Sequence, residues 1–295
     1  PAGQLVGRVE VQTEAWKGAP GVLANLKGVI SRLLDSTEPA RVVGIGIAAA
    51  GQIHPKTHAV VYAPNLEWEN VPLRDEIESA FGLPVYVEND VRAAAWGEYR
   101  FGVGRGVQNL IAVFVGTGVG SGAVVDGILL QGAGNAAGEL GHTQVVPDGL
   151  PCACGRHGCV EAYASGRGFA RRLEAALAAG TETRLASETG GDPSRVTAAL
   201  VARAAAAEDA FARRIWDDAE RYLGQAIANY VTLLNPELLV LGGGVMTTVP
   251  GLAPALEQQV RAHATVLSRD VRVAHAGLGD SSAIFGVADR VWRQV

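Results

Sequence analysis

The sequence predicts an α/β fold with mainly parallel sheets, organised as two related domains. Three observations lead there. Short apolar runs alternate with helical patterns along the whole chain. The order of strands, helix, strand, helix, strand, helix occurs twice. And 295 residues, 48% hydrophobic and 19% charged, suffice for two cores. Residues 1–88 with 281–295 are expected to form a small domain, and 89–280 a larger one carrying a cysteine-rich loop. A ligand-binding cleft is expected between them.

The elements follow in order. Residues 5–12 alternate like a strand. Val22, Leu23, Leu26, Ile30, Leu33 and Leu34 give residues 21–35 a helical spacing. Residues 42–48 form a continuous apolar run, as in a strand buried on both faces. A Gly- and Pro-containing loop passes Asn65 and Trp68, and Pro72 opens a helix over 72–81. A short strand at 85–88 leads into a helix from about Asp90 to Tyr99. The second cycle begins near residue 110 with strand, Gly turn, strand and a short third strand. Residues 131–165 are loop-rich, and helices are expected over 165–179, 194–206 and 208–234. Strands at 238–242 and 271–275 alternate with helices at 251–263 and 281–293.

A formal charge of −5 argues against a general nucleic-acid surface. No apolar run reaches the roughly 18 residues that span a bilayer, and nothing resembles a signal peptide. A cytoplasmic protein is the default expectation. The odd set Cys152, Cys154 and Cys159 is no disulfide framework in such a chain. All three lie in one short loop downstream of His142. Thiolates and imidazole are the ligands zinc prefers, and four of them close a structural site. Gly155 and Gly158 let the backbone turn tightly enough for this. His157 competes with His142 but lies between two ligand cysteines, where solvent is the expected neighbour. Three unrelated thiols are the alternative.

Gly116-Thr117-Gly118-Val119-Gly120 lies between two strands. Its glycines admit backbone N–H groups to a phosphate, and Thr117 adds a hydroxyl; a plain Gly-rich hairpin is the alternative. Gly242, Gly243 and Gly244 follow a strand and precede a helix, either as a simple turn or as a flat floor under a nucleotide. Neither is a Walker A loop, since no Gly-Lys-Ser/Thr follows. Asn89-Asp90 sits where a strand meets a helix, as caps do and as a general base for a sugar hydroxyl also would. Glu139 and Glu161 flank the cysteine loop and are candidates for gripping a polyol.

Together these features resemble the ROK family of sugar kinases and sugar-responsive repressors. The most specific part is Gly138-Glu139-Leu140-Gly141-His142 followed by residues 152–166, CACGRHGCVEAYASG. Asn65-Leu66, Val87-Glu88-Asn89-Asp90, Gly116 to Gly120 and Leu241 to Val245 support it. The resemblance implies a two-domain actin-like ATPase (ribonuclease H-like) fold, and a dimer or tetramer. It implies that Asp90 accepts the proton of the sugar 6-hydroxyl, and that Asn65, Asn89, Glu139, His142 and Glu161 bind sugar hydroxyls. Thr117, Gly118 and Gly120 would hold phosphate, and Gly242, Gly243, Gly244 and Val245 would line the adenosine site. ATP, Mg²⁺ and a structural Zn²⁺ are the implied cofactors. His142 would turn one ring nitrogen to zinc and the other to sugar.

Three activities compete. The wording Ala137-Gly138-Glu139-Leu140-Gly141-His142 looks like the glucokinase branch; a kinase for N-acetylglucosamine, N-acetylmannosamine or fructose is second. A sugar-sensing regulator is third, though no helix-turn-helix is visible. The chain departs from the family pattern twice. Ala50-Gly51 stands where Pro-Gly is usual, and the N-terminal Asp-x-Gly-Gly-Thr phosphate motif is absent. In such a domain strand 5–12 would be third and 42–48 would border the first, leaving a gap of about 10 Å between them. The expectation is therefore that on the order of 20 further residues, two strands and their turns, precede Pro1 in the natural protein.

Overall fold

Two kinds of sequence run decide the cores. Runs with no polar residue become strands covered on both faces, and helices with one apolar stripe cover them. The computed structural model describes residues 3–38 and 42–294. The chain divides into two compact units: residues 1–105, 129–137 and 280–295, and residues 106–128 and 138–279. The border expected after residue 88 differs from this division over residues 89–105 and 129–137, which fall in the first unit.

In the first unit, β1 (Ile45–Ala49) will pair in parallel with β5 (Val85–Asn89), Ile45 opposite Val85 and Ala49 opposite Asn89. Between them lie β2 (Gln52–Ile53), β3 (Val60–Ala63) and β4 (Trp68–Val71), an antiparallel three-stranded sheet. The sequence reads this stretch as loop, because strands of two to four residues are too short to show a period. Helices α1 (Gly18–Asp35) and α2 (Leu73–Phe81) bury Val22, Ile30, Leu73 and Ile77 in a core with Ile47, Ile53, Trp68 and Val87. Helix α3 (Asp90–Arg100) follows β5 without a break.

The strand expected over residues 5–12 does not form. The segment has no regular structure, Val6 is 93% exposed, and no described strand pairs with it. Alternation alone does not make a strand; the backbone groups need a neighbour to bond.

The second unit is built on a sheet in which β6 (Leu110–Val115) is antiparallel to β7 (Val119–Val125). β8 (Ile128–Leu129) follows β7 at the edge. On the other side β6 runs parallel to β9 (Leu238–Gly242), and β9 to β10 (Arg272–His275). Every residue of β9 is buried, as its unbroken apolar run predicts. A one-turn helix α4 (Val160–Ala164) is followed by α5 (Gly166–Ala178), α6 (Arg184–Thr189), α7 (Ala198–Ala206) and α8 (Ala210–Leu234). The helix expected from residue 194 begins at Ala198, where the Thr197 hydroxyl accepts from Leu200 N–H at 3.1 Å. Helix α8 buries Ile215, Ala219, Leu223, Ile227 and Val231, a strict four-residue stripe. Helices α9 (Gly244–Thr248) and α10 (Leu252–His263) complete this unit.

Helix α11 (Ser282–Trp292) returns to the first unit and packs on α3. The backbones approach so closely that a methyl on Gly97 would strike the Ser282 carbonyl, and one on Gly286 the Ala93 carbonyl. Trp96 Nε1 donates to Asp289 at 2.9 Å, and the Ser282 hydroxyl donates to Glu98 at 2.8 Å. Helix α11 thus braces the helix that begins at Asp90. Among the described residues no helix is long and apolar enough to cross a membrane.

Candidate functional site

In the first unit the candidate base stands at the head of α3. Asn89 caps that helix: its Oδ1 accepts from Val91 and Arg92 N–H, both at 3.1 Å, and its amide donates to the Gly51 carbonyl at 3.1 Å. The cap fixes the next side chain, Asp90, whose Oδ1 accepts from Val91 N–H at 2.9 Å. Burial pushes the Asp90 carboxyl above its usual range, against the Val91 N–H and the Arg92 charge, which pull it down.

Beneath this helix start lies a buried polar cluster that sequence reading did not assign. Glu88 is fully buried and Arg92 is 2% exposed. Arg92 Nη2 and Nε reach Glu88 Oε1 at 2.6 and 3.0 Å, and Nη1 donates to the Asn135 carbonyl at 2.6 Å. Tyr86 OH and Gln131 Nε2 donate to the other carboxylate oxygen, each at 2.9 Å. The Tyr86 phenol, pushed up to about 12 chiefly by burial and then by Glu88, remains a donor. The cluster ties segment 129–137 to β5 and α3, so the strand, cap and base form one rigid piece. The four-residue spacing of Glu88 and Arg92 around Asn89-Asp90 was the available signal. Asn65 lies on the exposed turn between β3 and β4.

In the second unit the cysteine loop is a bent ribbon. Val145 N–H donates to the Gly158 carbonyl and Gly158 N–H to the Leu150 carbonyl, both at 2.8 Å; Cys152 N–H reaches the Arg156 carbonyl at 2.8 Å. Gly155 and Gly158 turn it at φ +83° and +74°, as the sequence reading requires. Ligand atoms of His142, Cys152, Cys154 and Cys159 all lie within 4.8 Å of one another. Cys152 Sγ is 3.6 Å from His142 Nδ1, and Cys154 Sγ is 3.7 Å from Cys159 Sγ. A tetrahedral zinc with ordinary bond lengths sets S···N edges of about 3.5 Å and S···S edges of about 3.8 Å, so the cluster fits that ion. Burial first, then its sulfur neighbours, pushes the Cys159 thiol up to about 12. Burial also raises Cys154, but hydrogen bonds from Arg156 and the other thiols bring it down to about 7. Crowded thiols of this kind accept a divalent cation more readily than a second negative charge. His157 is exposed and outside the cluster. His142 turns Nδ1 to the sulfurs, and its Nε2 lies 4.0 Å from Glu139 Oε2.

The Gly turn is held by this same stretch of chain. Gly116 N–H closes the turn onto the Gly118 carbonyl at 2.9 Å. The Gly116 and Thr117 carbonyls accept from Gly166 and Arg167 N–H at 2.9 and 3.1 Å, at the head of α5. Glu161, in α4, accepts from Val119 N–H at 3.0 Å through Oε2. Thr117 is exposed, while Gly118 and Gly120 are half-buried.

The glycines after β9 divide by role. Side chains on Gly242 would overlap Phe114 and Ala276, and on Gly243, at φ +89°, the Val115 backbone. Those two are required by packing. Gly244 has open space where a side chain would go, and Val245 is buried behind it.

Comparison with known proteins gives a consistent set. A sequence model described as the ROK family matches residues 7–294. A glucokinase of Halalkalibacterium halodurans is 36% identical over 97% of this chain and 87% of its own. The crystal structure of a ROK family glucokinase from Streptomyces griseus, in complex with glucose and AMPPNP, superposes with a TM-score of 0.81 at 33% identity. That match covers 100% of this chain and 94% of that one. A xylose repressor of Caldicellulosiruptor bescii is 36% identical over 69% of this chain and 51% of its own.

Proposed function

The chain belongs to the ROK family and has the two-domain actin-like α/β fold, and from that premise we propose that it is an ATP-dependent glucokinase. The observation that carries the reading is Asp90, a carboxylate capped into place and raised above its usual range by burial. A sugar sensor needs to bind; it does not need a base. A carboxylate poised this way favours catalysis, and glucokinases are among the relatives matched along most of the chain.

Phosphoryl transfer demands alignment and charge neutralisation more than covalent help. In this reading Asp90 orients the glucose 6-hydroxyl and accepts its proton. Asn65, Asn89, Glu139, His142 and Glu161 hold the remaining hydroxyls. Thr117, Gly118 and Gly120 cradle phosphate, and Gly242 to Val245 line the adenosine site. Mg²⁺ accompanying ATP would supply charge neutralisation. Zinc at His142, Cys152, Cys154 and Cys159 supplies structure: with Nδ1 committed to the metal, the tautomer is fixed and Nε2 is pre-aimed. A cytoplasmic location and a homodimer or homotetramer belong to the same proposal.

An ADP-release assay on the natural full-length protein, over a panel of hexoses, tests it. Glucose is expected to give the highest kcat/KM, and deoxyglucoses lacking a gripped hydroxyl should fall well below it, because a buried polar partner is left unpaired. Equal turnover of a deoxy sugar, or no ADP release with any hexose, refutes the assignment.

A further inference from the structure

Hydrogen bonds run in a closed ring at the head of α3, and Asn135 closes it. Asn89 Nδ2 donates to the Gly51 carbonyl at 3.1 Å, just before β2. Two residues on, the Ile53 carbonyl accepts from Asn135 Nδ2 at 3.0 Å. The Asn135 carbonyl accepts from Arg92 Nη1 at 2.6 Å, and Arg92 N–H returns to Asn89 Oδ1 at 3.1 Å. The ring joins three stretches of the first unit that are far apart in sequence: β2, the start of α3 and segment 129–137. Asp90 lies in the chain between two of its members, Asn89 and Arg92.

Asn135 meets two demands at once. Its backbone stands at φ +56°, a left-handed conformation that Gly and Asn adopt more readily than other residues. This conformation, with its N–H on the Gly132 carbonyl at 3.3 Å, aims its own carbonyl at Arg92. Its side chain then supplies the donor that Ile53 requires. Glycine meets the first demand alone. Asn135 is 4% exposed, and its Oδ1 is buried with no partner among the described residues. The amide is therefore kept for its donor, although the acceptor beside it is desolvated. Such breaches of hydrogen-bond satisfaction belong at functional sites.

We propose that Asn135 is a positioning residue for the transfer step: by tying Arg92 to β2 it sets the place from which α3 presents Asp90. The inference rests on the functional reading above. Arg92 also holds Glu88, and that pair survives the loss of the Asn135 amide, so the helix keeps its charge balance. What is lost is the anchor to β2. Transfer between aligned groups is steep in distance, and a misplacement of about 1 Å can cost about 10²-fold in rate. Binding of the sugar draws on many contacts and is far less sensitive.

ADP-release kinetics and calorimetric glucose titration of the natural full-length protein test this. Asn135→Gly keeps the left-handed backbone and the carbonyl and removes the donor. It should lower kcat about 10-fold or more while the glucose Kd stays within about 2-fold of wild type. Asn135→Asp keeps the shape of the side chain, removes the same donor, and should show the same split; it answers the question if Asn135→Gly does not fold. A folded variant with near-normal kcat overturns the inference and leaves the kinase reading standing. So does a fall in kcat matched by an equal weakening of glucose binding, which would make Asn135 a binding or structural residue. Absence of ADP release from the wild-type protein with every hexose sinks the kinase reading and this inference with it.

Discussion

Asp90 and Glu161 both stand in the first turn of a helix, and the two helices hold their carboxylates by different means. Helix α3 runs 11 residues, is capped by Asn89, and rests on the Glu88–Arg92 pair and on α11. Helix α4 runs 5 residues, and the side chain of its cap residue, Cys159, makes no capping hydrogen bond. Cys159 instead turns its sulfur into the His142–Cys cluster. One carboxylate is fixed by a buried polar core and the other by a ribbon whose organising centre is a set of metal ligands. The difference teaches that the first needs its unit's own side chains alone, whereas the second sits beside a cluster of four ligands suited to an ion.

The sharpest way to break this contrast is at the base itself. Asp90→Asn should lower kcat by about 10²–10⁴-fold while the glucose Kd stays near wild type; near-normal turnover would remove Asp90 from the role. The same variant gives a stability reading of known sign. A raised folded-state pKa means the native chain binds the proton more tightly, so ionised Asp90 weighs against folding. That weight is absent below the ordinary Asp range, grows as pH rises towards the raised value, and is constant above it. Asp90→Asn should therefore unfold at a temperature no lower than wild type at neutral pH.

Next in size is the polar core under α3. Arg92→Met leaves the Glu88 charge buried without its partner and should cost about 3–5 kcal/mol in urea unfolding. Glu88→Leu combined with Arg92→Met should recover most of the loss. Failure of the pair to recover it would mean that the bonds to Asn135 and Gln131, and not the charge pair, hold the site.

Cys154→Ala should release metal, detected by a colorimetric chelator, and weaken glucose binding with little effect on the first unit. An ion held at 100 to 1,000 times its Kd contributes about 3–4 kcal/mol, which the variant withdraws. Full glucose affinity in a metal-free protein would show that the ribbon organises itself. The smallest expected effect is on pH. The acid limb of kcat/KM should lie above the ordinary Asp value of about 3.9, and a limb at or below that value would contradict the burial of Asp90.

Much of this contrast was legible in the sequence. The cysteine spacing, His142 upstream and the two turning glycines located the ribbon, because structural zinc ligands are of few chemical types and recur at short spacings. The Asn89-Asp90 junction was visible as a cap, and the long runs 238–242 and 208–234 as strand and helix. The β2–β4 sheet was not, since strands of two to four residues are too short to show an alternation. Nor was the role of Arg92, whose partner Asn135 lies 43 positions away and meets it through a backbone carbonyl. The strand read over 5–12 failed for the opposite reason: a period was present, and no described strand pairs with it.

Helix α11 follows β10 in the chain yet braces a helix made early. Residues 280–295 belong to the first unit, while most of the second lies between them and residue 105. A ribosome therefore exposes α3 long before its cover exists, and the nascent chain carries the glycine-lined face of Gly97 open until Gly286 emerges. The second unit, whose strands and helices all precede residue 280, can close during synthesis. Emergence of residues 282–292 is then the event that locks the helix bearing Asp90, so a message truncated near residue 280 should yield a chain with its His142–Cys ribbon built and its Asp90 helix unbraced.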